Sequence, residues 1–127
     1  MIYGVGIDLV KIERMKDVIE KWGKRFLEKV FTKNEISYCY EKKNPYLSLA
    51  ARFAAKEALV KAIGSAVPVS LADIEVINID TGKPFLKVNG RLEHFFKENS
   101  IKRAHLSLSH EHEYSIACVV LESSESK

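Results

Sequence analysis

Asp8 closes an apolar run in which the residues two and four positions earlier, Gly6 and Gly4, carry no side chains. In a strand these three share a face, so the carboxylate has an open backbone groove beside it, wide enough for a phosphate or a metal ion. Capping of the helix that follows is the competing role for an Asp at this place. A second group of charges, Arg52, Lys56, Glu57 and Lys61, sits in an alanine-rich stretch. Glu57 and Lys61 fall within about 40° of each other on a helical wheel, as do Arg52 and Lys56. Exposed pairs at that spacing contribute only ~0.3–0.5 kcal/mol. Charges on a crowded helix need stronger partners: a metal ion, a phosphate, or salt bridges inside the fold. His110-Glu111-His112-Glu113 offers two imidazoles at strand spacing, but zinc takes three or four protein ligands and the spacing supplies no third. Ser109 precedes His110 with no nucleophile-elbow motif around it, and a hydroxyl beside an imidazole at a strand end suits phosphate binding better than acyl transfer. Gly4-Val5-Gly6 does not complete a dinucleotide fingerprint, and the chain has no P-loop.

The elements that must hold these groups can be read from periodicity. IYGVGIDL alternates as a strand, with Tyr3, Val5, Ile7 and Leu9 on one face. From Lys11 a helical period follows, placing Ile12, Met15, Ile19 and Trp22 on one side, and Gly23 either bends or ends that helix. Thr32-Lys33-Asn34-Glu35 has capping-box spacing and predicts a second helix from about Lys33. Asn44-Pro45 starts a third, which runs through AARFAAKEALVKAI and stops at Gly64. Ile74 to Ile79 and Phe85 to Val88 flank a DTGKP turn as a hairpin. A short helix, Arg91 to Glu98, buries Leu92, Phe95 and Phe96. Two strands, about Ala104 to Ser109 and Tyr114 to Glu122, close the chain. The order β-ααα-ββ-α-ββ predicts an α+β domain over 1–122, with a largely antiparallel sheet packed on a long central helix and a frayed tail over 123–127.

The chain has 127 residues, enough for one domain, and its 46% hydrophobic and 29% charged content excludes extended disorder. No apolar run reaches the length of a membrane span, and no secretory signal opens the chain. Cys39 and Cys118 form no metal-ligand pair or disulfide framework, so a reducing cytoplasm is expected. The net charge of +3 is unevenly spread: residues 11–43 hold ten basic and six acidic side chains, and residues 44–127 hold ten of each. If the first helix continues past Gly23, Lys21 and Arg25 fall about 20° either side of Arg14, away from the apolar side. Such a stripe suits an acidic protein partner. Nucleic acid is disfavoured by the small net charge and by the lack of a helix-turn-helix or zinc motif.

Three blocks resemble the short bacterial holo-acyl-carrier-protein synthases, a family of 4′-phosphopantetheinyl transferases: Gly4-Val5-Gly6-Ile7-Asp8 with Arg14, RFAAKEALVKA over 52–62, and SLSH over 107–110. They stand in family order, and the middle block is the most specific. The DTGKP turn at 80–84 matches a family element near the nucleotide. Ala66, where many members have glycine, and the acidic HEHE at 110–113 depart from the pattern.

The resemblance implies the transferase fold and transfer of phosphopantetheine from coenzyme A to a serine of apo-acyl carrier protein. Adenosine 3′,5′-bisphosphate is released, and the reaction supports fatty acid biosynthesis. By matching positions, Asp8 and Glu57 hold Mg²⁺. Lys61 neutralises the leaving phosphate, and Glu57, or a metal-bound water that it orients, is the candidate base. Lys61, Gly82, Pro84, Ser109, His110 and Arg52 contact coenzyme A. Lys56 matches a family lysine but points elsewhere on the wheel. Arg14, Lys21 and Arg25 match the carrier-docking helix. The family also implies a homotrimer with sites shared between subunits, so that His110 serves the Asp8 and Glu57 of an adjacent chain, with no nucleic acid or membrane partner. Two rival functions, a non-catalytic module for acidic proteins and a nucleic-acid binder, have no use for Asp8 with Glu57.

Overall fold

β1 (Ile2–Lys11) passes directly into α1 (Ile12–Trp22) in the computed structural model, which describes residues 1–78 and 82–124. There follow α2 (Lys24–Val30), α3 (Lys33–Tyr40), α4 (Pro45–Ala62), a 3₁₀ turn (Leu71–Asp73), β2 (Ile74–Asn78) and β3 (Pro84–Val88). α5 (Gly90–Glu98), β4 (Ile101–His110) and β5 (Tyr114–Ser123) complete the chain. The α+β architecture and antiparallel pairing are as expected, with two differences in detail. Gly23, at φ 57° and ψ −136°, ends α1, so four helices rather than three separate β1 from β2. The strands also divide between two sheets, ordered β1-β5-β4 and β2-β3. Ile79, Asp80 and Thr81, which belong to the expected hairpin, lie outside the described residues.

The local signals behave as their chemistry dictates. Thr32 Oγ1 accepts from the Glu35 N–H, while the Thr32 N–H donates to Glu35 Oε1 at 2.9 Å, completing the capping box. Asn44 Oδ1 accepts from the Leu47 N–H at the start of α4, with Pro45 in the first turn where no donor is lost. Ser123 still belongs to β5 and donates its N–H to Met1, and the Ser124 N–H donates to Ser100. The expected frayed tail therefore does not begin at 123; residues 125–127 lie outside the described residues.

α4 is the axis of the molecule. Leu49, Ala50, Ala54, Ala55, Ala58 and Leu59 have no exposed surface. The inward residues of β5, Ala117, Val119 and Leu121, are buried beneath this helix. Alanine on both flanks lets the helix lie close to its neighbours without voids. Tyr3, Val5, Ile7 and Leu9 do share one face of β1, but it is the face turned away from α4, and the last three are each more than half exposed. Trp22 also departs from expectation. It leaves the buried side occupied by Ile12, Met15 and Ile19 and stands 54% exposed, with the Lys21 ammonium 5.3 Å from its ring centre. Leu92 is buried as expected, whereas Phe95 and Phe96 are only half-buried. Among the described residues no helix is long and apolar enough to cross a membrane.

Candidate active site

Gly4 and Gly6 do not open a groove for a ligand. A Cβ on Gly4 would lie 1.9 Å from the Ala62 carbonyl oxygen, and one on Gly6 would lie 1.8 Å from that of Ala58. The space beside Asp8 is filled by the backbone of α4, and glycine is required because helix and strand touch main chain to main chain. This contact carries the chemistry to Asp8: Glu57 and Lys61 are the residues immediately before Ala58 and Ala62.

Across that seam Lys61 Nζ lies 2.9 Å from Asp8 Oδ1 and 3.1 Å from the Ile7 carbonyl oxygen. The Asp8 side chain is 16% exposed and that of Lys61 55%, so the pair is rooted in the fold and open on one side. Glu57 is half-buried beside them. Its proton affinity is raised by burial first and by the Asp8 charge second, with Lys61 opposing both. The Asp8 and Glu57 carboxylates, with the Ile7 main-chain carbonyl adjacent, form a hard-oxygen set suited to Mg²⁺. Among the described residues no group of three His, Cys, Asp or Glu could hold a metal ion unaided, so water and substrate oxygens would complete the shell, as is usual for this ion.

The charges on the other side of α4 have protein partners. Arg52 is buried, stacks on Tyr38 with its guanidinium carbon 4.5 Å from the ring centre, and donates to Asn78 Oδ1 and to the Ser48 carbonyl. Its Nε has no hydrogen-bond partner among the described residues. Asn78 donates in turn to the Gly82 carbonyl at 3.1 Å, so Arg52 is linked to the hairpin that carries Gly82 and Pro84. A cavity of about 260 Å³ opens here, with Asn34, Tyr38 and Glu75 in its wall. Lys56 has no exposed surface and is 2.7 Å from Glu35 Oε1. The structure thus brings Asp8, Glu57 and Lys61 together, and separately Arg52, Gly82 and Pro84. Five residues are about 140° around a helix, so within one chain the two groups occupy different flanks of α4.

Ser109 and His110 form a third group at the end of β4. Ser109 is paired with Ile116 on the outer face of the sheet, and His110 is opposite Ser115. Both are exposed. The positive stripe is not one continuous line, because the break at Gly23 puts Arg25 on α2 while Arg14 and Lys21 remain on α1. Arg25 instead lines a shallow groove of about 250 Å³ with Trp22, Phe26 and Lys29.

Residues 4–119 match the family model of the 4′-phosphopantetheinyl transferase superfamily. A relative from Halothermothrix orenii, named holo-[acyl-carrier-protein] synthase, is 50% identical over 121 residues, covering 94% of this chain and 97% of its own. The chain belongs to this family. The crystal structure of holo-[acyl-carrier-protein] synthase from Neisseria meningitidis superposes with a TM-score of 0.89 at 34% identity, covering 97% of this chain and all of the other. The Bacillus anthracis synthase in complex with CoA (3′,5′-ADP) gives 0.80 at 39% identity, over 98% and 99% of the two chains.

Sequence reasoning singles out Thr32 and Glu35 as a helix cap, but not Glu35 as the partner of Lys56 on α4, nor Glu75 beside it. Glu75 accepts from Thr32 Oγ1 at 2.7 Å, and Glu35 Oε2 accepts from the Val76 N–H at 2.7 Å. The available signal is that Lys56 is one of several charges on a crowded, alanine-rich helix, and charges there need partners inside the fold.

Proposed function

We propose that this protein transfers the 4′-phosphopantetheine group of coenzyme A to a serine of apo-acyl carrier protein, with Mg²⁺ as cofactor, in support of fatty acid biosynthesis. The observation that carries the proposal is the seam where Gly4 and Gly6 bring Glu57 and Lys61 of α4 against Asp8. The relatives' names and the coenzyme A complex point the same way.

Phosphoryl transfer asks the protein for positioning and charge stabilisation. Asp8 and Glu57 would hold Mg²⁺, which when bound supplies charge neutralisation at the pyrophosphate. The serine oxygen forms the new bond to the phosphorus next to the pantetheine arm, and the bond from that phosphorus to the bridging oxygen of the pyrophosphate breaks. The serine proton goes to Glu57, whose proton affinity is raised by burial and by the Asp8 charge. Lys61, half exposed at the open side, meets the negative charge left on adenosine 3′,5′-bisphosphate. Arg52, Gly82 and Pro84 contact the nucleotide end, and Ser109 and His110 its 3′-phosphate. Arg14, Lys21 and Arg25, all exposed, attract the acidic carrier protein.

The same reading makes the enzyme a homotrimer with shared sites. Val5, Ile7 and Leu9 stand exposed on a sheet face continued by Ile116, Cys118 and Val120, and such a face calls for a partner surface. Sharing also reunites the groups that one chain keeps apart. A cytoplasmic setting accords with the free thiols of Cys39 and Cys118.

Incubating apo-acyl carrier protein with the enzyme, coenzyme A and Mg²⁺ should add the mass of one phosphopantetheine group. No gain, or a gain unaffected by Asp8→Ala, would refute the proposal. Sharing is tested by mixing inactive Asp8→Ala and inactive His110→Ala subunits. Hybrid trimers should regain activity, and no recovery after verified subunit exchange would mean that each chain works alone.

A further inference from the structure

Lys56 sits next to Glu57 in sequence but cannot share its direction, since successive helical residues diverge by about 100°. Its ammonium is 2.7 Å from Glu35 Oε1 and 2.9, 3.0 and 2.5 Å from the carbonyl oxygens of Val30, Leu71 and Ile74. Those acceptors belong to the end of α2, to α3, to the 3₁₀ turn and to β2, so one side chain joins four segments to α4. Glu35 is itself held, because its two oxygens also accept from the Thr32 and Val76 N–H groups.

Stability alone gives a poor account of this arrangement. A buried ion pair generally does no better than a well-packed apolar pair of the same volume. An ion pair with three further acceptors does supply direction, which apolar packing lacks. On the opposite flank, against β1, the helix presents alanines to glycines, and the directional contacts there are those of the half-exposed Lys61 ammonium to Asp8 and to the Ile7 carbonyl.

We infer that Lys56 is a positioning residue of the active site: clamped by Glu35 and three carbonyls, it fixes the rotation of α4 that presents Glu57 and Lys61 to Asp8. This rests on the catalytic reading of Glu57 given above.

The test is the double variant Lys56→Met/Glu35→Gln, which removes both buried charges at similar volume and leaves a side-chain amide oxygen at position 35 to accept from the Thr32 N–H. Folding is checked by cooperative thermal unfolding. The expected result is a folded enzyme whose kcat falls about 100-fold while the KM for coenzyme A stays within about threefold. In a Glu57→Gln background, followed by single turnover, the same pair of changes should cost far less, because most of the geometry they set no longer acts. A folded double variant with near-normal kcat, or an equal loss in both backgrounds, would overturn the inference. If the double variant does not fold at assay temperature, Glu35→Gln alone is read by the same cycle, with a kcat loss of about tenfold expected and an unchanged kcat overturning it. Full activity of Glu57→Gln by itself would identify the catalytic reading as the failure and remove the inference with it.

Discussion

Adding one methyl group at Gly6 should damage activity and stability together, by amounts that follow from the seam. The new Cβ would lie 1.8 Å from the Ala58 carbonyl oxygen and 2.8 Å from the Ala62 nitrogen. Both are main-chain atoms of a buried helix, so no side-chain rotation relieves the clash. To reach even 3.0 Å from that oxygen, the shortest contact that real Cβ atoms ordinarily show, α4 must retreat from β1 by about 1.2 Å. Overpacking of this kind costs about 1–3 kcal/mol, and each kcal/mol lowers Tm by about 4 °C in a chain of this size. A displacement near 1 Å between reacting groups costs about 100-fold in rate. Gly6→Ala should therefore lose several degrees in Tm and about two decades in kcat, measured by thermal unfolding and by mass-spectrometric conversion of carrier protein. Gly64→Ala is the comparison. Gly64 has open space around it but a φ of 68°, so alanine there costs about 1–2 kcal/mol of backbone strain with no displacement of α4. A Gly6→Ala enzyme with wild-type kcat and Tm would refute the account of how Asp8 meets Glu57.

Other outcomes follow from the remaining geometry. Because Glu57 is harder to ionise in the fold, the native state holds its proton to higher pH than the unfolded state does, and stability falls as pH rises through that range. With Mg²⁺ present Glu57→Gln should lose most of its activity, yet in chelator-treated protein it should have a higher Tm than wild type at pH 7. The gain should vanish at pH well below the ordinary carboxylate range, and a Tm difference independent of pH would contradict the assignment. Arg14→Glu should raise the KM for carrier protein and flatten its dependence on salt while the KM for coenzyme A stays put; equal changes in both would mean that the stripe does not dock the carrier. Cys39 is buried, with burial pushing its thiol up to about 11, so it should resist alkylation at pH 8. Cys118 should be protected in the assembled enzyme and react once Ile7→Lys disrupts the outer face, as counted by intact-mass labelling. Equal reactivity before and after would remove the proposed interface.

What the sequence could disclose was local chemistry. Thr32 with Glu35, Asn44 with Pro45, and Gly64 mark helix ends because a few neighbouring atoms decide them, and each stands where its spacing indicates. Glu57 and Lys61 were legible as a pair because four residues nearly complete a helical turn. Meetings across long separations were not legible. Gly4 and Gly6 announce a close approach without naming what approaches, and α4 rather than a ligand fills that space. Lys56 needed a partner inside the fold, but no periodicity selects Glu35, 21 residues away. Trp22 obeyed the helical period, yet α1 ends at Trp22 and the chain turns at Gly23, leaving the indole 54% exposed beside Phe26 of α2. The outer face of β1 misleads for a further reason: alternation identifies an apolar face and is silent on whether this chain or another covers it.

That outer face also bears on the life of the chain before assembly. β1 is an edge strand of its sheet, so a solitary subunit offers a free row of main-chain donors and acceptors beside bare aliphatic side chains. On the trimer proposed above, newly made chains at low abundance are the vulnerable population, open to capture by other extended segments until copies meet. Specific activity should fall on dilution, and overproduction at high temperature should favour precipitation over yield, because the surface proposed to join the subunits is also the one most prone to wrong pairing.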